Sequence, residues 1–461
     1  MNSHHLLLQQ LDKQEQKEFE ILAHYLIPLG WKDNLSHADF AKLLSSYNFL
    51  EIDNNYAERR LKKFQKFDLI EIKKNSTSPT NGERGKRLAN TIILKSFAYQ
   101  GTLPTGIVPL DSILYIKRDA DEKCLRELSL ARDVSQSVPF IRVKAAKGMG
   151  KSSLLDRISH FLEKEKKGIV ARIDLATDAF GDNTLNDSEK LFRRFTEEVA
   201  TAFSKLIPGF QGVDLETVWN KHKTSGKNCT DYLEEYIFKK IAEVPKFSET
   251  GKTLLIDGID SILGKQTQTD FLLVLRTWNE EKMKLVDSRK VIWPSMVIAY
   301  STEPYPDANF KGSPLQNVGT PVELLEFTPE CVLSLAKIYG LSWDENNVNG
   351  LMKLIGGHPS LVQRALYKIS QTNISLEGLE AEASKISGAF SNYLLHHLER
   401  LQARQNKQLL ACFQKIMRGE KCKDAFAKFQ LEQIGLIKSS GNKEEVSCEL
   451  YRMFFEENLD L

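Results

Sequence analysis

Along the first 75 residues, apolar positions recur at intervals of three and four. Phe19, Ile21, Leu22, Tyr25, Leu26 and Leu29 define one face of a predicted amphipathic helix, with Gly30 suited to end it. Ser36 suits the N-cap of a second helix containing Phe40, Leu43 and Leu44, and a third carries Tyr56, Leu61 and Phe64. Leu69, Ile70 and Ile72 then read as a strand. Residues 75–87 are rich in turn formers and basic side chains and read as a linker or a long wing. Three short helices, a strand and a basic loop outline a winged helix, an outline that other small helical modules share.

Further along, the pattern changes to strands alternating with helices. Candidate strands are Phe140–Val143, Ile169–Leu175, Thr253–Ile256 and Met296–Tyr300, which predicts a mostly parallel sheet covered on both faces. From about residue 327 the spacing is helical, apart from a short stretch near Gly435–Val446. No repeat with a period of 20–50 residues is present, which excludes a propeller or solenoid. Residues 180–250 hold acids and aromatics at helical spacing and read as core and surface, with no site assigned.

Composition narrows the class. With 461 residues, 41% hydrophobic and 27% charged, the chain suits several soluble globular domains. No apolar run reaches the roughly 18 residues of a membrane span, so no membrane partner is expected. Residues Met1 to Gln16 lack the basic start and apolar core of a secretory signal. The six cysteines (Cys124, Cys229, Cys331, Cys412, Cys422 and Cys448) contain no CxxC pair, which argues against a zinc site or a disulfide framework and suits a reducing cytoplasm. The formal net charge is only +2, so any nucleic-acid contact needs a local patch.

The candidate chemistry begins where the strand Phe140-Ile141-Arg142-Val143 runs into Lys144-Ala145-Ala146-Lys147-Gly148-Met149-Gly150-Lys151-Ser152-Ser153. Leu154, Leu155, Ile158 and Leu162 follow at helical spacing. Strand, glycine loop and helix in that order is the context of a phosphate-binding loop. Its backbone N–H groups form a nest for ATP or ADP phosphates, reinforced by the helix N-terminus. Lys147 to Ser153 are the predicted contacts: Lys151 reaches the β- and γ-phosphates and the Ser152 hydroxyl ligates Mg²⁺. One departure from GxxxxGK[ST] is Ala145 in place of the first glycine.

Downstream, Thr253-Leu254-Leu255-Ile256-Asp257 has the form of a buried strand delivering a carboxylate to its tip, where Asp257 would hold Mg²⁺ through water. Hydrolytic relatives of such sites place an acid next, to orient the attacking water; here the residue is Gly258, and Asp260 is the nearest substitute. Nucleotide binding is therefore expected and hydrolysis is left open, with Asp257 and Asp260 as the catalytic candidates. Ser301-Thr302-Glu303-Pro304, after Met296–Tyr300, reads either as a γ-phosphate sensor or as a loop cap.

Several segments in order resemble one family, the bacterial AAA-like group of STAND-type P-loop NTPases. Leu114-Tyr115-Ile116-Lys117-Arg118-Asp119-Ala120-Asp121 is similar to its Tyr-(Val/Ile)-x-Arg-x-x-Asp lead-in, and Gly150 to Leu154 to its Gly-Lys-(Ser/Thr)-Ser-Leu loop end. Asp257 to Leu263 looks like its Asp-Glu-(Ile/Val)-Asp segment with the Glu lost, and Asn317 to Leu324 is similar to another signature. Gly356-Gly357-His358-Pro359 resembles the lid motif, and Leu450 to Phe455 the closing winged-helix motif. The resemblance implies an α/β P-loop NTPase core with a mostly parallel sheet at 101–326, a helical lid at 327–395 and a winged-helix-like domain at 396–461. A small, mostly helical N-terminal domain occupies 1–100. It further implies that Pro359 packs on adenine with His358 nearby. It implies a signalling switch, in bacterial signalling or antiviral defence, that assembles as a homo-oligomer or engages a separate effector or sensor protein. Because the chain stops soon after the last motif, no C-terminal sensor of the usual kind is expected.

Between Tyr56 and Lys95, eleven basic residues against four acids leave about +7. Arg59, Arg60, Lys62 and Lys63 are the candidates for nucleic-acid contact. A solvated helix face explains the same charges. The alternative function is therefore a DNA-binding AAA-type ATPase that uses winged-helix domains. A metabolic phosphotransferase lacks any acceptor motif.

Overall fold

The computed structural model describes residues 11, 13–27, 32–35, 37–48, 54–66, 69–73, 90–94, 101–133, 138–206, 213–244, 251–281, 285–286, 290–301, 314–315, 317–403, 406–440 and 443–459. Leu29, Gly30, Ser36, residues 75–87 and Thr302-Glu303-Pro304 lie outside the described residues. Contacts divide the chain into two units, 1–116 with 327–393, and 117–326 with 394–461. Among the described residues, no helix is long and apolar enough to cross a membrane.

The first unit opens with α1 (Lys13–Leu26), β1 (Lys32–Leu35), α2 (His37–Asn48), α3 (Asn54–Lys66), β2 (Ile70–Lys73) and β3 (Asn90–Leu94). The three strands form an antiparallel sheet in the order β1-β3-β2. All three expected helices are present because their apolar positions converge. Phe19, Phe40 and Phe64 are fully buried, with ring centroids of Phe19–Phe64 5.4 Å and Phe40–Phe64 6.5 Å apart. The strand β1, Lys-Asp-Asn-Leu, carried no apolar alternation and was not foreseen.

The second unit is built on β4 (Phe140–Lys144), β5 (Ile169–Asp174), β6 (Lys252–Asp257), β7 (Ser295–Tyr300) and β8 (Thr320–Glu323), all parallel and ordered β8-β4-β7-β6-β5. Every residue of β6 is buried, as the continuous apolar run of a central parallel strand requires. Period-two alternation sends Phe140, Leu254, Ile256, Met296 and Ile298 to one face and Ile141, Val143, Leu255, Val297 and Ala299 to the other. The former face packs under helices Ser188–Ser204 and Gln268–Glu281, the latter under Asp119–Asp133 and Lys151–His160. The sequence reading missed β8. It is an edge strand, the position where Pro321 can be accommodated without a ladder N–H.

Back in the first unit, four helices run through Pro329–Ile338, Glu345–Ile355, Pro359–Thr372 and Leu376–Ala383. The second unit resumes at Leu394, within the helix Ser391–Gln402, and continues with Lys407–Met417 and Ala425–Gln433, the hairpin Ile437–Ser440 with Lys443–Val446, and a last helix, Glu449–Asn458. The expectation that cysteine spacing argues against a disulfide framework is corrected at one pair. Cys412 and Cys422 are joined, with their Cα atoms 5.4 Å apart. The chain reverses after Met417, where Gly419 N donates to Ile416 O at 3.0 Å and Glu420 N to Lys415 O at 2.8 Å. That reversal brings the two thiols together, and no CxxC spacing announces it. Cys124, Cys229, Cys331 and Cys448 are free.

Candidate functional site

The glycine loop leaves the C-terminal tip of β4 and enters the helix Lys151–His160. Gly148 at φ 82° and Gly150 at φ 96° take left-handed conformations, which let the loop turn its backbone inward. No side chain caps the helix start at Gly150. Met149 N donates to Ala146 O at 3.3 Å, and the Met149 side chain is buried in the core beneath the loop. Ala145 N donates to Tyr300 O at 3.3 Å, tying the loop to the neighbouring strand β7. Lys147 and Gly148 are exposed, Ser152 is half-buried and Ser153 is buried.

Arg118 braces this loop from outside. Its guanidinium Nη1 donates to Met149 O at 2.9 Å and to Leu325 O at 3.3 Å, and its backbone N donates to Asp121 Oδ2 at 3.0 Å. The lead-in segment thus has a mechanical role that its spacing alone did not reveal.

Lys151 Nζ donates to Ala145 O at 2.9 Å and Ala146 O at 3.2 Å, so its ammonium lies over the loop. Burial lowers its pKa, opposed by the carboxylates of Asp260 and then Asp257. A half-buried ammonium over a glycine loop at a helix N-terminus suits a polyphosphate.

Asp257 ends β6 and is buried. Its Oδ1 accepts from Gly258 N at 2.9 Å and its Oδ2 from Arg172 Nη2 at 3.0 Å; Arg172 also pairs with Asp156. This Asp156–Arg172–Asp257 chain links the phosphate-loop helix to β5 and β6. Each Asp257 oxygen keeps a further lone pair, so Ser152 and Asp257 suit a Mg²⁺ held through water. Among the described residues, no group of three or more His, Cys, Asp or Glu could hold a metal by themselves.

The residue after Asp257 has a physical reason to be glycine. Gly258 sits at φ +69°, and a Cβ there would lie 2.6 Å from Asp174 Oδ1 and 2.8 Å from Ala176 N. Asp174, in register with Asp257 on β5, is fixed there because its Oδ1 accepts from Ala176 N at 2.9 Å. Asp260, in the turn Ile259–Ile262, accepts from Ser301 N through Oδ1 at 2.7 Å. It is therefore anchored between the tips of β6 and β7, and it is the first electrostatic partner of Lys151. Arg172 and Asp174 went unnoticed in the sequence because only strand register brings them to Asp257.

His358 and Pro359 lie in the first unit. Pro359 is the first residue of its helix, and both residues are buried. His358 Nε2 and Tyr393 Oη are 3.1 Å apart, and Gly357 O accepts from Phe327 N at 2.8 Å. Of the basic candidates on α3, Arg60 pairs with Glu15 and with Glu18 (2.7 Å), and Lys63 pairs with Glu15 at 2.5 Å. Lys62 pairs with Glu58 at 2.5 Å, and Arg59 is exposed. A separate cavity of about 270 Å³, bordered by Trp219, Tyr232, Tyr236 and Glu234, shares no residue with the phosphate loop.

A five-stranded parallel sheet with helices on both faces and this loop at a strand tip is an α/β P-loop ATPase core. The chain belongs to the AAA-like domain family, whose model matches residues 103–457. No curated protein matches the chain. Among solved structures, it is similar to a Walker-type ATPase of Pyrococcus abyssi, at 13% identity over 73% of this chain and 95% of that one, with a TM-score of 0.48. It is also similar to Cdc6p of Pyrobaculum aerophilum, at 15% identity over 77% of this chain and 100% of that one, TM-score 0.38. The Aeropyrum pernix ORC2 protein, in ADPNP–ADP complexes, is similar at 12% identity over 74% of this chain and 94% of that one, TM-score 0.38.

Proposed function

We propose that this AAA-like protein is an ATP-binding regulatory switch of the STAND type, which couples nucleotide state to a conformational change or to assembly. The observation that carries the reading is the phosphate loop with Lys151 over it, beside an Asp257 tip whose next position has no room for a side chain. Lys147 to Ser153 take the phosphates, and Ser152 and Asp257 take Mg²⁺. Without an acid after Asp257, hydrolysis falls to Asp260 and is slow, since positioning and electrostatics supply most of the rate in phosphoryl transfer. ATP need not be consumed to act. At a hundredfold above its dissociation constant, a ligand specific to one state stabilises that state by about 2.7 kcal/mol.

In this reading, 1–100 is a winged-helix-like or adaptor domain, 101–326 the nucleotide-binding domain, 327–395 the lid and 396–461 a winged-helix-like domain. The protein works in the cytoplasm, in bacterial signalling or defence, with copies of itself or a separate effector or sensor as partner. The DNA-binding alternative gains no support from α3, where Arg60 and Lys63 are engaged with Glu15 and Glu18.

The test is the solution mass of wild type and Lys151→Ala with and without ATP and Mg²⁺, beside the rate of phosphate release. A mass change in wild type alone, with turnover far slower than the change, is expected. A mass and a hydrodynamic radius that both ignore nucleotide contradict the switch.

A further inference from the structure

Strand β5 carries a carboxylate to the phosphate side of the sheet that no sequence motif marks. Period-two alternation puts Val170, Arg172 and Asp174 on the face covered by the helix Lys151–His160. Val170 joins the core formed with Leu154, Leu155 and Ile158, and Arg172 pairs with Asp156 of that helix. Asp174, next on this face, is the last residue of β5 and is in register with Asp257 at the tip of β6. Carboxyl ends of parallel strands are where ligands of such sheets bind.

The position of Asp174 answers the absence of an acid after Asp257. A Cβ at residue 258 would lie 2.6 Å from Asp174 Oδ1, so the Asp174 carboxylate fills the space that a side chain there would enter. A side chain at 258 and a carboxylate held this way at 174 exclude each other. Asp174 Oδ1 accepts from Ala176 N at 2.9 Å, which fixes the group, while Oδ2 has no hydrogen-bond or ion-pair partner among the described residues. The residue is half-buried, so that oxygen stays open to a water molecule. Asp257 is committed differently, with one oxygen accepting from Gly258 N and the other from Arg172 Nη2. A free carboxylate oxygen, fixed beside the tip that suits Mg²⁺, is the acceptor that an attacking water needs.

We propose that Asp174 supplies, beside Asp260, the carboxylate that orients the attacking water when a nucleoside triphosphate is held by the loop. Its Oδ2 accepts a hydrogen bond from the water. The water oxygen bonds to the terminal phosphorus, the bond from that phosphorus to the bridging oxygen breaks, and its electron pair leaves with the nucleoside diphosphate. Both protons of the water end on the released phosphate. The inference rests on the nucleotide-binding function proposed above, and it moves the orienting acid from residue 258 to the neighbouring strand.

The test is single-turnover phosphate release from ATP with Mg²⁺ by the full chain, with ATP affinity measured separately by calorimetry. Wild type is compared with Asp174→Asn and with Asp178→Asn, an exposed carboxylate in the following turn. Asparagine keeps an oxygen for Ala176 N but puts a donor where Oδ2 was free. Asp174→Asn should release phosphate about a hundredfold more slowly, with ATP affinity within about threefold of wild type, and Asp178→Asn should match wild type. Should Asp174→Asn not fold, Asp174→Ser, which also offers Ala176 N an oxygen, is read in its place. A loss of rate under about tenfold, an ATP affinity that falls as far as the rate, or an equal loss in Asp178→Asn overturns the inference. Wild type that binds ATP and releases no phosphate also overturns it and leaves the switch standing. Wild type that binds no nucleotide overturns the proposed function as well.

Discussion

Placing a methyl at residue 258 tests whether its glycine is a requirement of packing. Gly258 lies at φ +69°, where an L side chain costs about 1–2 kcal/mol. The added Cβ would also stand 2.6 Å from Asp174 Oδ1 and 2.8 Å from Ala176 N. The second neighbour is backbone just past β5 and the first is held to it by a hydrogen bond, so neither can swing aside cheaply, and overpacking of this kind costs about 1–3 kcal/mol more. Gly258→Ala should therefore destabilise the second unit by about 2–5 kcal/mol. Gly264 supplies the control: its φ is +78° and a Cβ there meets nothing within 4 Å, so Gly264→Ala bears the backbone cost only. Guanidinium unfolding followed by the fluorescence of the buried Trp278 and Trp293 reports on this core. Equal midpoints for the two variants would refute the steric argument, and with it the explanation for the missing acid. The same crowding means that Gly258→Glu should destabilise the fold and leave nucleotide hydrolysis no faster.

Two further outcomes are expected. Lys252 begins β6, and burial pushes its pKa down from 10.5 to about 8. The unfolded chain then holds more protons between about pH 8 and 10.5, so stability rises with pH across that window. Below it the penalty is constant, about 3 kcal/mol. Lys252→Met should stabilise the protein at pH 7 and flatten that rise; an unchanged slope of unfolding midpoint against pH from 8 to 10 would contradict it. Reducing the Cys412–Cys422 bond, which closes a ten-residue separation, should cost about 2.5–3 kcal/mol by loop-closure entropy. That loss should appear as a lower melting temperature in dithiothreitol and vanish in Cys412→Ala/Cys422→Ala.

The phosphate loop was legible because its residues are contiguous. The strand Phe140–Val143, the glycines and the helix starting at Lys151 declare themselves within twenty positions. The central strands were equally plain, since burial on both faces of a parallel sheet forces continuous apolar runs such as Thr253–Ile256. The edge strand at Thr320–Glu323 carries a proline and alternates in burial, so it gave no such run. What surrounds the loop was not legible. Arg172 and Asp174 reach Asp257 through the register of β5 on β6. Arg118 grips Met149 O from 31 residues away. On α3 the charge run reads in sequence as a basic face, and in the structure Arg60 and Lys63 pair with buried glutamates on α1.

The most direct measurement of the central claim is the nucleotide released from freshly purified, heat-denatured protein, together with equilibrium binding of ATP and ADP in Mg²⁺, for wild type and Lys151→Ala. The account predicts saturable binding by wild type at one site per chain, abolished or weakened at least a hundredfold by removing the ammonium, with the variant still folded. A wild type that carries no nucleotide and binds none, or a Lys151→Ala that binds as tightly as wild type, would contradict it.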